Sequence, residues 1–230
     1  MLATKGMRFP IDIILVCNRW YAAYPLRYRH LEEMIEERDE FVDQSSINRW
    51  AIRFLPVLEK AFRKHKRAVG RIWRIDETYI KVKGVWKYLY RAVDKEGKTV
   101  EFLLTARRDK AAALRFFDKA MKASGVHEKV TMDKSSANKT SMDEINVRGE
   151  TPVIVRQIKY LNNMVGQDHR AVKRITKPTL NFKSFRSAKR ILAGIELMHM
   201  TRKGQLLMQG CIGLSFADQF YALAGKIRPV

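Results

Sequence analysis

The spacing of hydrophobic positions changes period twice along the chain. In the N-terminal third it is helical: Leu31, Met34 and Ile35 share one face within Arg29–Arg38. Ile47, Trp50, Ala51 and Phe54 share another, after Ser45 or Ser46 as candidate N-cap and before Pro56. Lys60–Arg71 reads as a basic linker, which sets a boundary near residue 70. From Arg74 the period becomes two, in segments rich in β-branched and aromatic residues: Arg74–Val82, Trp86–Val93 and, after the turn residues Asp94–Gly97, Thr99–Thr105. Three strands at hairpin spacing predict an antiparallel meander. Trp73, Trp86, Tyr88 and Tyr90 are expected as core residues and cross-strand pairs rather than stacking platforms for bases. Helical spacing returns over Lys110–Ala123, with Ala113, Phe116, Phe117 and Ala120 inward. Short strands at Lys129–Met132 and Val153–Val155, a helix or loop between them, and a helix over Lys159–Lys173 complete the order.

The order βββαβαβα, with the meander first, is that of the ribonuclease-H-like fold, an α/β class with a mixed sheet flanked by helices. With sheet order 3-2-1-4-5, strands one and four are neighbours. Asp76 lies in the middle of the first strand, sharing a face with Thr78, while Ile75, Glu77 and Tyr79 take the other. Asp133 ends the fourth strand, so the two acids are predicted to be adjacent. Close carboxylates repel, and a divalent cation relieves the repulsion. A two-metal site can activate a water or a 3′-hydroxyl at one ion and stabilise the leaving oxygen at the other. Either acid alone would read as a surface or turn residue; the pair, in a strongly basic chain, favours the metal site.

Charge narrows the partner. The chain has 230 residues, with 45 Lys and Arg against 24 Asp and Glu, a formal charge of +21. Such an excess calls for a polyanion, nucleic acid first and an anionic membrane surface second. Basic clusters at Arg63–Arg71, Arg107–Lys110, Arg170–Lys177 and Lys183–Arg190 together make a composite phosphate-binding surface. The paired N-terminal helices are compatible with a helix-turn-helix, in which Asn48, Arg49 and Arg53 face outward to bases or phosphates. The alternative is an ordinary helical hairpin with Leu31, Ile35, Ile47 and Trp50 as its core. Two cysteines, Cys17 and Cys211, exclude a disulfide scaffold and a four-cysteine zinc site, and fit a reducing cytoplasm. No run reaches the ~20 apolar residues of a membrane span. A signal peptide is not expected, and no glycine-rich phosphate loop supports nucleotide hydrolysis.

Several long segments, in order, resemble the bacterial insertion-sequence-six family of DDE transposases: Phe9–Asp39, Trp73–Asp94 (WRIDETYIKVKGVWKYLYRAVD), Phe102–Met121, Met132–Asn138 (MDKSSAN), Arg156–Arg174 (RQIKYLNNMVGQDHRAVKR) and Phe185–Gln205. The resemblance implies a helix-turn-helix DNA-binding region with basic linker at 1–70, a ribonuclease-H-like DDE core at 71–205, and a tail of unknown role at 206–230. It makes Asp76 and Asp133 the first two catalytic acids and ligands of Mg²⁺, with Mn²⁺ as the alternative ion. It implies binding of terminal inverted repeats, strand cleavage, and attack of the freed 3′-hydroxyl on target DNA. A homodimer or higher oligomer, associated with the bacterial nucleoid in the cytoplasm and with no membrane role, would pair the two ends. Lys134 would lie by the scissile phosphate, and His169, Arg170, Lys173 and Arg174 along the DNA.

One position departs from the pattern. The family reads roughly YLNN-x-x-E-Q-D-H-R; here the segment is YLNNMVGQDHR, and Gly166 stands where the third catalytic Glu is expected. The match on both flanks excludes a register error. Asp168 is the nearest acid, but two residues along a helix turn it about 200° away. Glu144 and Glu150 lie upstream, with nothing to place them at the site. The expectation is a transposase that binds DNA and is impaired in catalysis. The alternative is a catalytically inactive transposase-derived DNA-binding protein or repressor. Lys139–Pro152 is short and polar where the family carries a longer helical segment, and the apolar stretch Cys211–Ala224 is either a packing helix or a sequence beyond the family's usual end.

Overall fold

Paired strands and packed helices follow the two periods closely. The computed structural model describes residues 8–133, 136–149, 152–158, 163–179, 182–211 and 213–226. It divides into two units, one of residues 68–171 and one combining the residues up to Arg67 with those from Val172 onward.

The first unit is built on β1 (Ile72–Val82), β2 (Val85–Asp94), β3 (Thr99–Thr105), β4 (Lys129–Met132) and β5 (Ile154–Gln157), in the order β3-β2-β1-β4-β5. The first three strands are antiparallel; β4 runs parallel to both β1 and β5. The expected sheet order is therefore the observed one. The β2–β3 turn closes around Asp94, whose buried carboxylate accepts from the backbone N–H of Lys98 at 2.8 Å and of Gly70 at 2.9 Å. One sheet face packs on α4 (Lys110–Ser124) and α5 (Ser136–Arg148), burying Trp73, Ile75, Tyr90, Phe116, Phe117, Val130, Met132 and Met142. Asp109 caps α4 by accepting from the Ala112 N–H. The polar stretch after β4 is thus a helix of ordinary length, held by Asn138, Ser141, Met142 and Ile145 as its buried positions.

The second unit is helical: α1 (Ile11–Ala23), α2 (Tyr28–Glu36), α3 (Gln44–Arg63), α7 (Phe185–Arg202) and α8 (Phe216–Gly225); α6 (Asn163–Thr176) precedes α7. Two readings are corrected here. The cap of α3 is Asp43, whose carboxylate accepts from the Ser45 and Ser46 N–H groups, rather than either serine. The helix does not stop at Pro56 but runs on to Arg63, so the basic linker is shorter than predicted. Leu55, Leu58, Ala61 and Phe62 continue the buried stripe, and their burial offsets the ~3 kcal/mol cost of an interior proline. The helix α7, within the span 71–205, packs on α1 and α3. It is buried around most of its circumference, so its sequence carries no stripe to indicate a partner. The apolar run after Cys211 becomes α8, which buries Phe220, Leu223 and Ala224.

The α3–α7 contact is close enough to require glycine. A Cβ at Gly194 would stand 2.6, 2.7 and 2.8 Å from three carbons of Leu55. Gly194→Ala is expected to destabilise the protein by about 1–3 kcal/mol, read as a lowered urea midpoint at unchanged slope; an unchanged midpoint would contradict this packing.

His127 gives a pH-dependent test of the sheet unit. Its ring stacks on Trp73 with centroids 4.1 Å apart, and burial pushes its pKa down to about 4 from 6.5. Because the unfolded chain takes up this proton first, stability is expected to fall by about 2–3 kcal/mol as pH drops from 6.5 to 4. His127→Phe, which keeps the stack, is expected to flatten that part of the profile in acid titrations of stability; an unaltered profile would contradict it.

Candidate active site

The site grows from adjacent residues of β1 that point to opposite faces of the sheet. Asp76 pairs across the antiparallel ladder with Arg91 of β2, so these two share a face. Arg91 is completely buried, and its Nη2 lies 3.5 Å from Asp168 Oδ2 on α6. His169, the next residue of α6, is also buried and brings Nε2 to 3.5 Å from Asp76 Oδ2. Asp76, Arg91, Asp168 and His169 therefore form one charged cluster between sheet and helix.

Glu77 points the other way. Its side chain is only 6% exposed and ion-pairs with Arg108 from the segment before α4. The Asn138 amide of α5 donates to its Oε1 at 2.6 Å. Arg108 also reaches Asp133, with Nη2 3.2 Å from Oδ2. Burial pushes the Glu77 carboxyl up, against the lowering effect of Asn138 and Arg108. Burial opposes the Arg108 charge, but Glu77 and Asp133 together outweigh it and push the guanidinium up.

The predicted residues sort as follows. The β1–β4 ladder pairs Ile72–Arg74 with Lys129–Thr131 and ends two residues before both Asp76 and Asp133. Their carboxylates take different partners, His169 for Asp76 and Arg108 for Asp133. Gly166 lies on α6, one turn before His169, and a Cβ built there meets no described atom within 4 Å. His169 is turned inward to Asp76 rather than outward to phosphate, while Arg170 and Arg174 are exposed and Lys173 half-buried. Lys134 lies outside the described residues, as do residues 159–162 of the predicted helix. In the helical unit Arg49 and Arg53 are exposed. Asn48 is not an outward reader: its Oδ1 accepts from the Tyr28 hydroxyl at 2.9 Å, tying α2 to α3.

Sequence reasoning missed Glu77, Arg91, Arg108 and Asn138. The available signal was the acidic pair Asp76–Glu77 in one strand, since alternation must send one carboxylate into the α4 face, where it needs a cation. Among the described residues no group of three or more His, Cys, Asp or Glu side chains could hold a metal ion. The described donor set, with Gly166 contributing no ligand atom, thus does not by itself fit a two-metal centre.

The fold and this acid-bearing strand pair define a ribonuclease-H-like core of the transposase and integrase type. A family model described as a DDE domain matches residues 70–205. The transposase for insertion sequence-like element IS431mec of Staphylococcus aureus is 39% identical over 199 residues, covering 85% of this chain and 87% of that protein. The transposase for insertion sequence element IS257 in transposon Tn4003 of the same organism is 38% identical over 199 residues, with the same coverage. Among solved structures, the catalytic core domain of BIV integrase aligns with a TM-score of 0.43 at 12% identity, covering 68% of this chain and 97% of that one. The chain belongs to the insertion-sequence-six family of DDE transposases.

The shared cation is directly testable. In a double-mutant cycle, Arg108→Met and Glu77→Gln are expected to couple by about 1–2 kcal/mol in urea unfolding, because Arg108→Met leaves the buried Glu77 carboxylate without its cation and Glu77→Gln removes that penalty. Additive effects would contradict the pairing.

Proposed function

We propose that this transposase binds the terminal inverted repeats of its element as double-stranded DNA and is impaired in metal-dependent strand cleavage and transfer. The reading is supported by Asp76 in β1 and Asp133 directly after the neighbouring β4, together with Gly166 where the family resemblance expects the third acid. Binding draws on the charge of +21 and on the exposed Arg49, Arg53, Arg170 and Arg174. The α2–α3 pair acts as the helix-turn-helix, with Arg49 and Arg53 as its DNA-facing residues. Mg²⁺ or Mn²⁺ is the ion the family chemistry calls for, and a carboxylate at position 166 would add the ligand this chain lacks. Two copies or more pair the element ends. A second reading, a catalytically inactive DNA-binding protein that represses active copies by occupying their ends, is favoured by the same missing donor.

The test compares the protein with Gly166→Glu on a duplex carrying the element's terminal repeats, with Mg²⁺ or Mn²⁺ and a gel-shift control. The open space at Gly166 means that the variant should fold normally. Both proteins are expected to retard the duplex, and only the variant to nick it and join the 3′ end to target DNA. Cleavage by the unaltered protein would contradict the impairment, and absence of retardation would contradict the binding reading.

A further inference from the structure

The β1–β2 hairpin continues past its neighbours. The β4 ladder accompanies β1 only over Ile72–Arg74, and the β3 ladder accompanies β2 only over Tyr88–Val93. Tyr79–Lys87 is thus a two-stranded arm. Its tip is a two-residue turn between Val82 and Val85, with Lys83 at φ 49° and Gly84 at φ 78°. Positive φ at both central positions matches the twist of the flanking strands.

The arm carries aromatic rings that the core does not absorb. Trp86 is 56% exposed and Tyr79 48%, which corrects the expectation that Trp86 belongs to the core. The rings are nevertheless held in place. Tyr79 packs edge-on to Trp86 at 6.3 Å between centroids and lies 5.4 Å from Tyr88. The Lys81 ammonium lies 5.6 Å from the Trp86 centroid. From Thr78 to Val93 the sequence has Lys81, Lys83, Lys87 and Arg91 and no acid.

We propose that this arm binds unpaired nucleotides of a DNA strand, with Trp86 and Tyr79 stacking on bases and Lys81 and Lys83 contacting the flanking phosphates. The proposal deepens the DNA-binding reading above and rests on it. An exposed π face beside ammonium groups suits a base and its phosphate, and stacking tolerates any sequence because every base has such a face. In a duplex the base faces are already stacked on one another, so the rings gain contact only where the strands have parted. Pre-packed rings lose little freedom on binding. Tyr79, Lys81 and Trp86 share the sheet face of Glu77 rather than that of Asp76, so bases held on the arm would lie on the Glu77 side of the sheet.

The test measures fluorescence anisotropy of a labelled forked duplex with unpaired oligo-dT arms and of a fully paired duplex of the same length. Full-length protein is compared with Trp86→Leu, which keeps apolar bulk without a π face, and Trp86→Phe, which keeps the face. Trp86→Leu is expected to weaken forked binding at least about fivefold and paired binding less than about twofold, with Trp86→Phe recovering most of the loss. Lys81→Gln with Lys83→Gln is expected to lower the salt dependence on the forked probe by about one to two counterions. Unchanged forked binding in Trp86→Leu, or equal losses on both probes, would overturn the arm's role while leaving DNA binding intact. Failure of the unaltered protein to bind either probe would overturn the parent reading and the arm with it.

Discussion

Charges in the middle of a sheet must be matched, and that requirement shapes the candidate site. Moving a carboxylate out of water costs several kcal/mol unless a cation or donors replace the solvent. Asp76 and Glu77 impose the requirement on both faces of β1 at once. On one face α6 answers with His169, while the neighbouring Arg91 is matched by Asp168. On the other, Arg108 lies between Glu77 and Asp133, with Asn138 completing the shell of Glu77. Three separate segments, α6, α5 and the stretch before α4, are thereby tied to the central strand through charge.

The same interactions separate scaffold from chemistry. Arg108 serves both Glu77 and Asp133, and the His169 ring lies beside Asp76. Asp168 could not easily replace a glutamate at 166, because its carboxylate is engaged with the buried Arg91. At Gly166 the space a side chain would take is unfilled by described atoms. On the proposed reading, a transposase can therefore lose strand chemistry at this position and keep its fold and its basic surface.

The strand order was legible because a two-residue period, turn residues and one chain order point to one sheet. What escaped depends on contacts between elements distant in sequence. Arg108 looked like one of four members of a basic cluster, and only the sheet shows that it faces two acids. Asn48 looked outward from helical spacing alone, but Tyr28 captures it. The passage of α3 through Pro56 reflects tertiary burial overriding a local breaker. Alternation marked Trp86 as a strand residue without revealing that no neighbouring strand covers that end of the hairpin. With buried positions around most of its circumference, α7 gave no direction, so its partners had to come from the structure.

On the proposed reading, the ligand that the metal site lacks is a carboxylate at position 166. Calorimetric titration of Mn²⁺ into the unaltered protein and into Gly166→Glu addresses it without DNA. The account predicts no saturable binding to the unaltered protein and a saturable, stoichiometric heat for the variant. Saturable binding by the unaltered protein, abolished by Asp76→Asn, would show that the site closes without residue 166 and would contradict the account.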